Sequence, residues 1–515
     1  MSTATTTETS QAAAFTWSRR HVLALVVLCL AALLDTVDVT VVNVAMPAIG
    51  TSLHFSEGAL AWMVNAYRVP FGGFMLLAGR AGDLLGRRRV LLGGTALFTL
   101  ASLASAFAPN VAVMIATRAA EGLAAAFVVP TTLAMISGVF PAGPARNRAF
   151  AVWGSVGAVA GTLGLVAGGL LVSAAGWRWV FLVNIPVGAF VLAAALRVLP
   201  GGRPAGTSGR RAFDAAGALA ATAGASLLAY AVVQTGTHPW GSARTIILLT
   251  AAAALLGYFL VHERFIASDP LMPLSLWRNR SVAGANLVTA LQSSAVFAMF
   301  YSTTLYQQQV LGYSALRTGL AYIPLGLSIL ISAGLGPVLV PRIGVRFTTA
   351  AGALVSTVGL VLLAGLPVSG NVLASLIVPE MITGFGAGMI MIPASIAAMS
   401  GVPAARVGVA SALLNVSRQL GGALGMAVIS TIVTLSTAHA MTFGHATTAG
   451  AMTAGFHAGF TVSAALLAAT AAAALVLLRE DGRGQSINLV ELQTAGALRP
   501  GQSDRRDSHE HVVSR

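Results

Sequence analysis

Long apolar runs, each about as long as a membrane-spanning helix, recur along the whole 515-residue chain with short polar turns between them. A helix needs about 20 mainly apolar residues to cross the hydrocarbon core of a bilayer. By that measure fourteen runs qualify, near 21–47, 58–79, 90–108, 111–136, 147–172, 178–197, 213–234, 244–265, 281–304, 316–340, 346–366, 371–397, 407–435 and 456–479. The runs are continuous and do not alternate, so they predict helices and not the strands of a barrel. The seventh and eighth are Ala-rich and only moderately hydrophobic. The expected fold class is an all-α membrane protein.

The polar positions test that count. If the N-terminus lies inside, 24 of the 30 arginines fall in inner loops and tails. Only Arg178, Arg244 and Arg317 fall outside, and Arg68, Arg118 and Arg418 stay within spans. Cytoplasmic loops carry such an excess, and removing one span would invert every later loop. Both termini are therefore expected in the cytoplasm, in a multi-pass protein of the cell membrane. Ser18-Arg19-Arg20 before an apolar run looks like a twin-arginine signal. The run that follows contains Asp35 and Asp38 and is too long for a signal core, so it reads as the first span. The domain order expected is a cytoplasmic segment 1–20, a six-helix half 21–197, a linker with two extra helices 198–280, a second six-helix half 281–479 and a disordered tail 480–515. Pro200 to Gly209 supplies a Gly-, Pro- and Ser-rich hinge, and Ile343-Gly344-Val345-Arg346-Phe347 echoes Leu85-Gly86-Arg87-Arg88-Arg89 in the matching loop.

Composition removes other classes. With 56% hydrophobic and 9% charged residues, the chain is not a soluble globule. Its net charge of +14 is spread thinly between apolar runs, with no basic face for nucleic acid. Cys29 is the single cysteine, which excludes a disulfide framework and a cysteine metal site, and no histidine spacing suggests a metal. No nucleophile constellation is present, and without lysine the phosphate-loop motif is impossible. No enzyme, no cofactor and no ATP-driven pump is expected; energy must come from an ion gradient, a partner or downhill flow.

Charges inside a bilayer are costly and usually face a cavity or a partner. Four acids fall within spans, Asp35, Asp38, Glu121 and Glu380. Asp35 and Asp38 lie one turn apart on nearly the same helix face. A carboxyl group in a partly dry cavity can take up and release a proton near neutral pH. Arg118 and Glu121 are three apart and can pair along a helix. An arginine that exchanges partners as a carboxylate titrates is a coupling device. For Glu380, substrate cation binding, proton carriage and structural pairing are all open. Arg418, with Gln419 and Asn415, forms a polar patch flanked by Gly421, Gly422 and Gly425, which suits a structural or gating role. Arg68 can pair with Asp35 or reach the headgroups.

The turn Leu77-Ala78-Gly79-Arg80-Ala81-Gly82-Asp83-Leu84-Leu85-Gly86-Arg87-Arg88-Arg89 is more particular than an arginine-rich hairpin requires. It resembles the loop signature of the major facilitator superfamily, G-x-x-x-D-x-x-G-R-[RK]. Asp38-Val39-Thr40-Val41-Val42-Asn43-Val44-Ala45-Met46-Pro47 is similar to the first-helix signature of that family's fourteen-spanner drug:proton antiporters. Trp62 to Tyr67, Trp177 to Gly188 and Val409 to Gly422 are similar to the same subfamily, so the resemblance covers nearly everything from residue 21 to 479.

The resemblance implies the major facilitator fold, with two six-helix halves and two inserted helices, here the spans at 213–234 and 244–265. It also implies alternating access, with export driven by inward proton flow. Asp38, Asp35, Arg118 and Glu121 are assigned to proton coupling, and Glu380, Asn43 and Tyr67 to the substrate cavity. Gating is assigned to Gly79, Asp83, Gly86, Arg87, Arg88, Gly164, Gly168, Gly169 and Arg418. Asp83 would hold the closed cytoplasmic gate against the helix start near Arg406 to Ala410, where a helix dipole favours an anion. Two positions depart from the subfamily pattern. Glu121 stands where glutamine is usual, and Gly164-Leu165-Val166-Ala167-Gly168-Gly169 lacks the proline of the antiporter signature but keeps its glycines. The expected activity is proton-coupled efflux of hydrophobic, cationic or amphipathic small molecules by a monomer in the bilayer. The alternatives are export of one endogenous metabolite or antibiotic, an uptake symporter, and a sensor or scaffold that transports nothing.

Overall fold

The computed structural model describes residues 17–141, 144–201, 214–234, 238, 240–267, 270, 274–368, 373–402, 407–443 and 447–478. The expected tail 480–515 and nearly all of the Pro200–Gly209 connection lie outside the described residues. The chain is helical throughout: α1 (Arg19–Leu53), α2 (Glu57–Ala81), α3 (Arg87–Ala106), α4 (Val111–Val139), α5 (Pro144–Ala175), α6 (Arg178–Leu182), α7 (Asn184–Val198), α8 (Ala215–Gln234), α9 (Ala243–Val261), α10 (Arg280–Leu305), α11 (Ala315–Ala321), α12 (Ile323–Leu363), α13 (Val378–Met399), α14 (Val407–Phe443) and α15 (Thr448–Leu477). Among the described residues, eleven helices are long and apolar enough to cross a membrane. Helices α2, α5 and α8 occupy the three other expected positions. The all-helical membrane class therefore holds, while a count of fourteen goes beyond these eleven.

Local sequence sets the helix ends. Ser18 accepts a hydrogen bond from the His21 backbone, and the His21 ring accepts one from the Ser18 backbone in return, so both orphan donors of the first turn are satisfied. Asn110, Ser242, Ser314 and Thr447 cap α4, α9, α11 and α15 with the side-chain oxygen alone, each accepting from the backbone three residues on. At the other ends, arginines fill the role. Arg88 donates to Leu196 O and Arg20 to Val198 O at 3.2 Å, so two guanidinium groups cover the last carbonyls of α7. Arg87 donates to Ala134 O of α4 at 2.8 Å. Prolines 47, 70, 130 and 393 sit inside long helices, which membrane bundles tolerate because neighbours re-satisfy the freed carbonyls.

The helices pack in two groups. Helix α1 packs on α4, α5 and α7, α2 on α4, and α3 on α4 and α7. Separately, α10 packs on α13, α14 and α15, and α12 on α13 and α15. The groups meet where α2 touches α14 and where α5 touches α11. Helices α8 and α9 pack on each other, and α8 lies against both α2 and α14. Adjacent glycines in α2 make this possible. A side chain at Gly72 would press on Gln419 and Leu420 of α14, and one at Gly73 would strike Thr222 of α8.

The apolar cores are uneven across the membrane. Around the C-terminal end of α1, one core joins both groups, from Val41 to Ile49 through Met299, Tyr322 and Leu360 to Phe460. Around the N-terminal end of α1 the groups keep separate cores, one around Leu28, Leu91 and Val191 and one around Val288, Ile390 and Ala474. The largest core shared by both groups thus lies towards the C-terminal end of α1.

Two glycines share an unusual backbone. Gly86, just before α3, has φ 93° and ψ 125°, and Gly344, at a break inside α12, has φ 82° and ψ 165°. These are the residues paired by the sequence echo. Gly344→Ala forces a side chain into a region that is essentially glycine-only, a cost on the order of 1–3 kcal/mol. A lower thermal midpoint in detergent is the expected result, and an unchanged midpoint would show that the break relaxes without strain.

Candidate functional site

Arg118 is the centre of a buried polar cluster. It projects from α4, two turns into the helix, and is 2% exposed. Its Nη1 lies 2.5 Å from Asp38 Oδ2 of α1 and also contacts Glu121 Oε2 on its own helix. Both acids are fully buried. The helical partner that the sequence suggested, Glu121, and an acid from another helix, Asp38, are therefore engaged at once, by a single nitrogen. Two carboxylates and one guanidinium sum to one uncompensated negative charge, which one bound proton would cancel.

The second oxygen of each acid is held by a neutral group. Asn184, the first residue of α7, donates from Nδ2 to Asp38 Oδ1 at 3.1 Å and to Ser102 Oγ at 2.9 Å. Ser102 in turn donates to Phe181 O at 3.2 Å. On the Glu121 side, Ser105 Oγ lies 3.1 Å from Oε1, and Thr117 Oγ1 lies 2.9 Å from Ser105. Four helices, α1, α3, α4 and α7, thus converge on one ion cluster. Such groups satisfy one another, and a buried charge without them would be expensive.

Aromatic rings close the cluster. The Arg118 guanidinium stands 4.5 Å from the Tyr67 ring centroid and 6.0 Å from that of Phe181, within cation–π range. The Tyr67 hydroxyl donates to Asp35 Oδ1 at 2.5 Å. Tyr67 therefore bridges the half-buried Asp35, one turn nearer the N-terminal end of α1, and the buried Arg118. Gly122 fixes that bridge, because its α-carbon lies against the backbone of Tyr67 and a β-carbon there would meet Tyr67 O, C and Cα.

The other expected residues fall elsewhere. Glu380, fully buried near the start of α13, accepts from Gln307 Nε2 at 3.4 Å. Among the described residues Glu380 Oε2 and Gln307 Oε1 are buried acceptors without a hydrogen-bond partner, and Thr303 lies close to the Glu380 carboxyl. Tyr322 nearby shares its hydroxyl with Thr303 and Thr304 at 2.7 and 2.8 Å. Asn43 is buried on α1, one turn and a half past Asp38. Arg68 stacks its guanidinium 3.5 Å from the centroid of Phe297 on α10 and lies within electrostatic reach of Asp35, one of the partners the sequence suggested. Arg418 donates to Asn415 within α14, while Gly421, Gly422 and Gly425 press against Ala290, Phe297 and Ser294 of α10. Gly164 and Gly168 admit Thr40 and Val41 of α1, and Gly169 admits the backbone of α11, so these glycines keep their packing role without the proline. The surroundings of Gly79 and of the Asp83 side chain, and residues 403–406, lie outside the described residues. Among the described residues no group of histidine, cysteine or acids has metal-ligand geometry, and Cys29 is a free, buried thiol.

Sequence reading missed Ser102, Ser105 and Asn184 as members of the site. The signal was present: a polar amide in the apolar stretch Val180 to Val191, and two serines three apart on α3, need partners in a membrane. Nothing in the sequence placed them opposite Asp38 and Glu121.

A family model described as Major Facilitator Superfamily matches residues 28–426. The puromycin resistance protein pur8 of Streptomyces alboniger is 36% identical over 92% of this chain and 94% of its own. The cephamycin export protein CmcT of Amycolatopsis lactamdurans is 38% identical over 79% of this chain and 84% of its own. Among solved structures, a bacterial homologue of the human lysosomal transporter Spinster, inward-facing and unoccupied, superposes with a TM-score of 0.62. It covers 94% of this chain and 100% of its own, at 16% identity, so it speaks for the fold alone.

Proposed function

Since the chain belongs to the major facilitator superfamily and is a multi-pass membrane transporter and not an enzyme, we propose that it exports hydrophobic, cationic or amphipathic small molecules in exchange for protons. The observation that carries this reading is the Asp38–Arg118–Glu121 cluster, two buried carboxylates on one guanidinium nitrogen. A proton arriving at either acid neutralises it and leaves Arg118 to the other. Exchange of partners between α1 and α4 is a local two-state event that a global rearrangement can follow.

The rest of the proposal builds on the same frame. The two packing groups are the halves 21–197 and 281–479, and α8 and α9 are the inserted pair, giving fourteen spans in the cell membrane with both termini cytoplasmic. The joined core then lies at the outer face, and the structure is inward-facing. Asp35, half-buried below the cluster, is the acid that an inward cavity reaches first, and the Tyr67 hydroxyl connects it towards Arg118. Glu380, with its unpartnered Oε2, would accept an N–H of a cationic substrate, in a cavity shared with Asn43 and Tyr67. Substrates of this kind fit the similarity to a puromycin resistance protein. Similarity to a named cephamycin exporter favours a second reading, export of one antibiotic or metabolite.

The test is proton release from acidified everted vesicles on addition of puromycin, ethidium and other lipophilic cations. The expected result is dissipation of the gradient by wild type and none by Asp38→Asn, with equal protein in the membrane. Dissipation by both would move coupling away from Asp38. No response from wild type across the panel, with cephamycins active, would select the dedicated exporter.

A further inference from the structure

We propose that Glu380 is a second proton-binding site, in the other group of helices from Arg118, and that its proton sits on Oε2 with Gln307 as the acceptor. A count of hydrogens at the pair points there first. Glu380 and Gln307 are both fully buried, and the hydrogen bond that joins them, from Gln307 Nε2 to Glu380 Oε1, is long at 3.4 Å. Glu380 Oε2 and Gln307 Oε1 remain, two buried acceptors with no donor among the described residues. An ionised carboxylate supplies no donor, whereas a protonated one supplies a single O–H, the group that both atoms lack. A carboxylic acid and a carboxamide match in this way, each giving one hydrogen and accepting one. Turning the amide over does not remove the need. Its oxygen would then face Glu380 Oε1, and that contact also requires a proton on the acid.

Charge leads to the same answer. Helices α10, α12 and α14 pack on α13, and their Arg280, Arg342, Arg346 and Arg418 make no ion pair with Glu380 among the described residues. Tyr322, at the start of α12, lies within electrostatic reach but brings no positive charge, and Tyr306 turns its hydroxyl to Pro367 O. Thr303 lies close, but its hydroxyl donates to Met299 O at 2.8 Å, so a carboxylate would have to take that hydrogen from the backbone. A buried charge in such surroundings is expensive, and an acid avoids the expense by keeping its proton. Asp38 and Glu121 differ, because they share a guanidinium. Two π turns frame the pair: Gln307 lies in one, Tyr306–Val310, and Glu380 follows the other, Leu373–Ile377. Such turns are frequent at functional sites. Gln308, beside Gln307 on the same turn, donates to Val44 O of α1 at 2.9 Å, so the proton site is one residue from a bond between the two groups of helices. The acceptor that a cationic substrate would use is occupied until this proton leaves, and that step alone rests on the reading of Glu380 proposed above.

Infrared spectra of the purified full-length protein at neutral pH, in a detergent without carbonyl groups, read the protonation state directly. Wild type minus Glu380→Gln should leave the C=O band of one protonated carboxyl and no carboxylate band. Gln307→Leu should move that band to higher frequency, because the acid has lost both its donor and its acceptor. If Glu380→Gln does not accumulate in the membrane, wild type minus Gln307→Leu shows the same band as a paired shift and decides alone. A carboxylate band from Glu380, or a protonated band that Gln307→Leu leaves in place, would overturn the inference. Proton release on drug addition is a separate readout. A protonated Glu380 in a protein that exchanges no protons leaves the inference standing and removes antiport; a carboxylate at Glu380 in an exchanging protein does the reverse.

Discussion

Arg118→Leu is expected to be the most damaging single substitution in the transmembrane core, and its damage should be reversible by removing the acids it serves. The arginine is the cation between two fully buried carboxylates. Removing one partner of a buried ion pair costs about 3–5 kcal/mol, because the other charge is left uncompensated. Here two are left. The expected result is low membrane abundance and a strongly reduced thermal midpoint in detergent. The triple variant Arg118→Leu, Asp38→Asn, Glu121→Gln should recover most of the lost stability, since Asn184 and Ser105 can still hydrogen-bond to amides in place of the acids. It should remain inactive in proton exchange. A single Arg118→Leu variant as stable as wild type would mean that the acids do not depend on this cation. Arg118→Lys keeps the charge but lacks the planar group that stacks on Tyr67 and Phe181, so it is expected to fold and to transport poorly.

Gly122→Leu should separate packing from charge. The backbones of α2 and α4 meet at this residue, and any side chain would have to displace the Tyr67 peptide itself. A flexible side chain could turn aside, but a backbone inside a helix cannot. The cost is about 3 kcal/mol, the upper end for overpacking. The functional loss should exceed what stability alone explains, because Tyr67 is carried away from both Asp35 and Arg118. The measurement is a pair: the thermal midpoint, and substrate-driven proton exchange normalised to folded protein. A Gly122→Leu protein that folds less well but exchanges protons at the wild-type rate per folded molecule would show that the Tyr67 bridge is not part of the coupling path.

Much of this was legible without coordinates. Apolar runs of bilayer length left few choices but helices, since hydrocarbon provides no partner for an open backbone. The loop from Gly79 to Arg89 and the Asp38 to Pro47 signature led to the family, later shown by the match over residues 28–426. Asp38, Arg118 and Glu121 stood out because charge in a membrane segment needs a reason. Local spacing even gave half of the site, the i, i+3 pair Arg118–Glu121.

The remaining half was decided by tertiary structure. Which acid meets which base across helices depends on helix rotation and depth to within about an ångström, and residue spacing along a chain carries neither. Sequence left Arg68 between Asp35 and the headgroups, whereas the fold stacks it on Phe297, 229 positions away, within electrostatic reach of Asp35. Sequence marked Asn184 only as part of a motif, whereas the fold turns it onto Asp38 through Ser102 and Phe181. Composition and periodicity determine that a segment crosses the bilayer, because that is a sum over some twenty transfers from water. The identity of a partner is a single contact, and only the packing of one helix on another selects it.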